Sequence, residues 1–103
     1  MDCARFVASG VHAITGVDHA AKWRGYRTVE EGQAALRAAG YADHVDLVAS
    51  LLPEKPVLSV QPGDVGATAE GALVMVQGRI VLGVGAHRIV RRPVTDVVRA
   101  FEV

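Results

Sequence analysis

Cys3 could act as a nucleophile, and it is the only cysteine among the 103 residues of the chain. Asp2 stands directly before it and is a residue type that caps helix N-termini, so Cys3 would occupy the first helical position. Free backbone N–H groups and the positive end of the helix dipole favour a thiolate there. The pattern therefore predicts a candidate nucleophile. The alternative is a small buried hydrophobic residue, because free cysteines are among the most buried residue types.

Three short motifs are spread along the chain: the hexapeptide Asp-Cys-Ala-Arg-Phe-Val at 2–7, Tyr-Arg-Thr at 26–28, and Gln-Pro-Gly-Asp-Val at 61–65. Together they resemble the NlpC/P60 cysteine peptidases, and most closely a shorter group of phage-associated NlpC/P60-like proteins of unassigned function. In that family an Asp-Cys pair begins the nucleophile helix, and a Pro-Gly-Asp turn leads into the catalytic sheet. The resemblance implies a papain-like core and a setting in a phage or gene-transfer-agent tail.

The resemblance also implies where a catalytic base would stand. In NlpC/P60 enzymes a histidine begins the strand that follows the Pro-Gly-Asp strand, and a polar residue on the next strand orients its ring. The corresponding positions here are Gly71 or Ala72 for the base and residues 82–84 for the orienting group. A thiol attacks an amide efficiently only when a base takes its proton and a third group orients that base. These positions therefore favour a fold without peptidase activity.

Four histidines could replace the missing base: His12, His19, His44 and His87. His12 follows Cys3 on the same helix at a distance of about 13 Å along the axis, which is too far. His19 and His44 fall in helical segments that we expect to face solvent. His87 is the only one in the strand region and is a weak candidate base. No spacing of acids, histidines and cysteine is typical of a metal site, and no cofactor is expected.

Arg88, Arg91 and Arg92 form a basic run with three interpretations. They could prevent strand pairing at a solvated sheet edge, meet an acidic patch on a partner protein, or, least favoured, bind nucleic acid. The formal net charge is +0, which gives no bulk attraction to nucleic acid or to an anionic membrane. No apolar run approaches the ~18 residues of a membrane span, and no signal peptide is visible. The single cysteine excludes an internal disulfide and fits synthesis in a reducing cytoplasm.

The positions of turn residues and the hydrophobic periods predict an α+β domain, with helices first and antiparallel strands second. Helices are expected over 3–14, from a Thr28–Glu31 capping box to Gly40, and over 43–52. The first would place Cys3, Val7, Val11 and Ile14 in the core. A short turn capped by Asp18 would follow it, with Trp23 as an aromatic lid over the core.

Strands are expected over 64–68, 72–76, 79–84 and 98–103. A two-residue Gln77-Gly78 loop would join the second and third, and a turn or helical bend would span 93–97. The nearly continuous apolar character of the strands over 72–76 and 79–84 indicates burial on both faces or a partner on the outer one. The chain would be a single NlpC/P60-like domain over 1–103, helical to about residue 53 and built of strands from about residue 56.

The favoured interpretation is a non-catalytic structural component of a phage or phage-like tail tip, because the base positions are empty. Such a protein would be made in the host cytoplasm, reside in the virion tail and contact other tail-tip or hub proteins, with no nucleic acid and no membrane span. The main alternative is an active cysteine peptidase or amidase that cleaves the peptide of peptidoglycan, with Cys3 as nucleophile and His87 or a residue of a neighbouring subunit as base. A third interpretation is a small interaction module whose resemblance is accidental.

Overall fold

The computed structural model describes residues 3–18, 29–85 and 88–103, with the backbone alone at Cys3, Ala4 and Val29. Within these ranges three helices come first, α1 (Cys3–Thr15), α2 (Val29–Ala38) and α3 (His44–Leu51). The strands that follow are β1 (Glu54–Lys55), β2 (Val65–Thr68), β3 (Leu73–Val76), β4 (Ile80–Val84), β5 (Ile89–Pro93) and β6 (Val97–Phe101). Short 3-10 helices at Val57–Ser59 and Val94–Asp96 precede β2 and β6. The predicted α+β class is confirmed.

Glycine and aspartate set the helix ends where the sequence places them. Gly16 has a φ of 78° and follows the last residue of α1. Gly40, with a φ of 93°, ends α2 in a Schellman arrangement, in which the Tyr41 N–H donates to the Leu36 carbonyl at 2.9 Å. Asp43 caps α3, because its carboxylate accepts from the Asp46 N–H at 2.8 Å. Thr28 of the predicted capping box, the turn expected after Asp18, and Trp23 lie outside the described residues.

The strands form one antiparallel sheet in the order β1-β6-β2-β3-β4-β5. Every residue of β3 is buried, which confirms the prediction for 72–76, and β2 is buried as well. The same prediction for 79–84 is not met in full, because β4 alternates between buried and more exposed residues and Ile80 is 36% exposed. One face packs against helices in a cluster made of Val7, Val11, Val45, Val65, Ala67, Leu73, Met75 and Phe101. The opposite face buries Val74, Val76, Val81 and Val97 beneath the 3-10 segments, through Val57, Val60 and Val94. The sheet is therefore the middle layer of the fold.

The prediction for α1 is correct at Val7 and Val11 and wrong at Ile14, which is 55% exposed. Ile14 lies at the end of β3, where its Cδ1 is 3.3 Å from the position of a Cβ on Gly63 and where it lines an open depression. A helical period identifies the face of a helix but not the point at which the sheet beneath it ends. The side chain of Cys3 is not among those described.

The sequence does not predict β1 and β5, and three further segments differ from the prediction. β1 has only two residues, and β5 contains Arg91, Arg92 and Pro93, so neither has a clear apolar pattern. The segment after Pro56, expected to begin the strand part, forms a 3-10 helix instead. The β3–β4 loop lies one residue later than predicted, since the Gln77 N–H donates to the Ile80 carbonyl at 2.9 Å. The last strand runs over Val97–Phe101 rather than 98–103. The bend predicted over 93–97 is the second 3-10 helix.

Candidate functional site

α1 begins at Cys3, the position that the sequence predicts for a nucleophile at a helix start. The two residues before it, including Asp2, lie outside the described ranges. His87, the weak candidate base, lies outside them as well, and so does His19. The structure therefore leaves the roles of Cys3 and His87 as predictions. His12 is described and exposed on α1, at the distance along the helix that excludes it as a base.

Gly71 and Ala72 stand directly before β3, where the resemblance to NlpC/P60 peptidases implies a catalytic histidine. Gly71 has a φ of 85° and closes a turn in which its N–H donates to the Thr68 carbonyl at 2.9 Å. The corresponding residues on β4 are Leu82, Gly83 and Val84. None of these five residues has a side chain that can titrate or orient an imidazole. Gly71 and Ala72 thus precede β3, the other three lie on β4, and none of them can act as a catalytic base or orient one.

His44 is the residue that the sequence prediction misjudged. We expected it to face solvent, but it is half-buried, and its Nε2 lies 2.9 Å from the Gly71 carbonyl oxygen. A carbonyl only accepts, so this hydrogen bond requires the proton on Nε2 and fixes the tautomer of a neutral ring. Asp43 sets the start of α3 by capping it, which places His44 in the first turn. The structure therefore brings an imidazole to the start of β3 from another element.

The first residue of α1 and the start of β3 lie at the same end of the sheet. A Cβ at Gly10 would lie 3.0 Å from Met75 Cε, and Ile14 reaches the Gly63 turn, whose N–H donates to the Val76 carbonyl. α1 therefore runs alongside β3 in the same direction. Counting back, Cys3 lies about 10 Å before Gly10 along the helix, and Gly71 lies about 13 Å before Met75 along the strand. The backbone of Cys3 and the His44–Gly71 contact thus share one end of the fold.

An open depression of about 300 Å³ lies at the other end, beside the end of α1. It is lined by Ile14, Pro62, Gly63, Met75, Val76 and Gln77. Gln77 supplies the one side chain with hydrogen-bonding atoms in this lining, so the depression holds no acid, base or nucleophile. It is therefore a poorer candidate for chemistry than the end that carries His44. Within the described ranges, no group of three or more histidine, cysteine, aspartate or glutamate residues could hold a metal ion.

Asp64, from the Pro-Gly-Asp turn, is buried, and its carboxylate accepts hydrogen bonds from three different segments of the chain. Its carboxylate accepts from Lys55 Nζ at 2.7 Å, from the Gln61 N–H at 2.9 Å and from the Val103 N–H at 3.3 Å. Burial raises the pKa of this carboxyl, but the hydrogen bonds from Lys55 and the two backbone groups together outweigh it, so the pKa is lowered. Asp64 is therefore a fixed anion that connects β1 and Val103 to the turn.

The basic run is not a single surface. Arg92 donates through Nε to Asp96 at 2.9 Å and through a terminal nitrogen to Glu70. The hydrogen bond from Arg92 lowers the pKa of Glu70. Arg88 and Arg91 are exposed, and no carboxylate of the described residues forms an ion pair with them. Only these two members of the run are therefore available to a partner.

The fold and the site define a small α+β protein in which helices cover an antiparallel sheet and a half-buried histidine stands at the sheet end where the first helix begins. The whole chain, residues 1–103, matches the family model described as Domain of unknown function (DUF6950), and the protein belongs to this family. Neither the curated proteins nor the solved structures contain a match to the chain. No helix in the described ranges is long and apolar enough to cross a membrane.

Proposed function

We propose that the protein is a non-catalytic structural component of a phage or phage-like tail tip, built on a degenerate NlpC/P60 fold. The observation that carries this proposal is the chemistry at the start of β3, where Gly71 and Ala72 replace the histidine that the resemblance implies. The residues of β4 that would orient that histidine are also unable to do so. A scaffold that lacks its base keeps its surfaces, which serve binding rather than hydrolysis.

The tail setting comes from the resemblance of the sequence motifs. The virion would be its location and other tail-tip or hub proteins its partners. Mass spectrometry of purified phage or phage-like particles tests the proposed tail location directly, because a structural component is present at a fixed ratio to the other tail proteins. Its absence from particles that assemble normally would refute the tail setting and leave the question of catalysis untouched.

A cysteine hydrolase is the second candidate, and His44 is the observation that favours it. The Gly71 carbonyl accepts a hydrogen bond from Nε2, so a separate element orients the His44 ring at the start of β3. A base oriented by a third group is the arrangement that activates a thiol. If the reaction occurred, the Cys3 sulfur would attack the carbonyl carbon of a cell-wall peptide, and the imidazole would take the thiol proton and deliver it to the leaving amine.

We expect His44 not to activate Cys3, because the proposed protein has no base in place for that step. His44→Ala should change the rate of Cys3 alkylation by iodoacetamide at neutral pH by less than about 2-fold. His12→Ala is the matched control, since this second histidine lies on α1 and is exposed. Neither the native protein nor Cys3→Ser should cleave peptidoglycan fragments.

The hydrolase would be indicated by a rate that is already maximal at neutral pH, is lost in His44→Ala and is retained in His12→Ala. Peptide cleavage that disappears in Cys3→Ser would lead to the same conclusion. Either result would overturn the proposed structural role. The alanine variants should be compared at equal folded fraction, measured by circular dichroism, so that a loss of reactivity is not confused with a loss of fold.

A further inference from the structure

β5 lies at one end of the sheet, and no strand among the described residues pairs with its outer edge. The Gly85 N–H donates to the Arg88 carbonyl at 2.7 Å, and the Val94 N–H donates to the Arg79 carbonyl at 2.9 Å. Antiparallel pairing alternates, so residues 88, 90, 92 and 94 direct their backbone groups toward β4. Ile89, Arg91 and Pro93 therefore direct theirs outward, and the edge offers two N–H donors and three carbonyls, because proline has no N–H.

Three arginines surround this edge. Arg79 lies beside the end of β5, Arg91 lies in its middle, and Arg88 directly precedes it. All three side chains are exposed, and no carboxylate of the described residues forms an ion pair with any of them. The formal net charge of the chain is +0, so the positive charge at this edge is local. Ile89, which is 53% exposed, adds an apolar side chain to the same edge.

We infer that the β5 edge binds an extended acidic segment of a partner protein, which adds to the sheet as a further strand. The backbone groups of Ile89 and Arg91 would supply the strand pairing. Strand alternation places Arg91 on one face of the sheet and Arg79 and Arg88 on the other, so acidic side chains on either face of the added strand would meet a guanidinium group. This inference rests on the proposed structural role, because it names the kind of partner that such a component would hold. It does not depend on Cys3 or on the chemistry at the start of β3.

Charge also excludes the simplest competing occupant, a second copy of the chain. Two β5 edges paired with each other would bring the arginines of both copies together, and like charges opposite each other destabilise a strand pair. Arginine and proline at a strand edge are a common protection against self-association. The same arginines attract an acidic strand, so one set of residues rejects a second copy and admits the partner. Pairing is confined to a short segment, because Pro93 ends the row of donors.

The test measures binding of a fluorescein-labelled peptide of alternating glutamate and valine to the full chain by fluorescence anisotropy at low salt. Arg91→Glu should weaken binding by at least ~10-fold, because it replaces an attraction with a repulsion at the centre of the edge. Arg37→Glu is the matched control, since Arg37 is exposed on α2 and has no ion-pair partner in the described residues. It should leave binding within about 2-fold of the native value.

Two altered probes separate strand pairing from simple charge attraction. A peptide that is N-methylated at alternate residues retains its charge but loses backbone donors, so it should bind at least ~10-fold more weakly. A peptide with lysine in place of glutamate should not bind. The inference is overturned if the acidic peptide does not bind, if Arg37→Glu weakens it as much as Arg91→Glu, or if N-methylation has no effect. Tighter binding of a short single-stranded DNA at the same edge would overturn it too.

Discussion

Replacing Asp64 with alanine is expected to lower the free energy of unfolding by about 3 kcal/mol, since breaking a buried ion pair leaves the other charge without its partner. Asp64 is 5% exposed, and Lys55 Nζ lies 2.7 Å from its carboxylate. The substitution also removes the acceptor for the Gln61 and Val103 N–H groups. Urea denaturation followed by circular dichroism measures the loss, and the melting temperature should fall by roughly 4 to 8 °C per kcal/mol.

Glu102→Ala is the control for this experiment. Glu102 approaches the same Lys55 nitrogen at 3.8 Å, but its side chain is 61% exposed. An exposed pair contributes little, so the control should change the free energy of unfolding by less than about 0.5 kcal/mol. If both variants lost the same free energy of unfolding, the buried Lys55–Asp64 pair would contribute no more than the exposed Lys55–Glu102 pair. Asp64 would then act only within its turn and would not stabilise the contact of β1 and Val103 with that turn.

The contribution of Asp64 to stability should depend on pH with a defined sign. Its pKa is lower in the folded protein than the usual value, so the folded state favours the carboxylate more than the unfolded state does. The stabilisation is therefore fully present above the unfolded pKa of about 3.9 and is lost as the pH falls through the folded pKa. The difference in unfolding free energy between the native protein and Asp64→Ala should be constant from pH 5 to 7 and shrink in acid, as measured by urea denaturation across ~pH 2–7.

Local signals in the sequence predict most of the element order. Gly16, Gly40 and Asp43 set helix ends because each acts through its own backbone conformation or through a hydrogen bond to a near neighbour. β3 is predicted because its sequence is continuously apolar, as is typical of a strand buried on both faces. β2 is predicted because turn residues lie before and after it. β5 is missed because its middle is arginine and its side chains alternate between half-buried and exposed at the end of the sheet. A strand of this kind is recognised by its pairing with the neighbouring strand, here β4, and the sequence pattern does not show that pairing.

The candidate site depends on contacts between residues far apart in sequence, which explains the error at His44. Its ring is bound by the carbonyl of Gly71, 27 residues later, through the packing of α3 near the start of β3. The one signal that could have indicated this contact is the Asp43 cap, which places His44 in the first turn of its helix. Lys55 and Asp64 were missed as a pair for the same reason, since β1 is too short to be recognised as a strand.

Phe101→Ala should also have a large effect, with a loss of about 3 to 5 kcal/mol in the free energy of unfolding, because it leaves a cavity in a close-packed core. Phe101 is 0% exposed and belongs to the cluster between the helices and the sheet. Val98→Ala on the same strand is the control, since Val98 is 54% exposed and should lose less than about 0.5 kcal/mol. If the alanine variant does not fold, Phe101→Leu should still show a loss of about 1 to 2 kcal/mol.

The two destabilising substitutions should not be independent. Phe101 pairs with Glu54 of β1 and with Val65 of β2, and Asp64 directly precedes Val65 while its partner Lys55 follows Glu54. Both residues thus stabilise the same junction of β1, β6 and β2, and neighbouring sites of this kind couple by about 0.5 to 3 kcal/mol. We expect Phe101→Leu to cost less in the Asp64→Ala background than in the native protein, because the junction is already loosened. Additive losses would show that the ion pair and the aromatic core stabilise separate parts of the sheet.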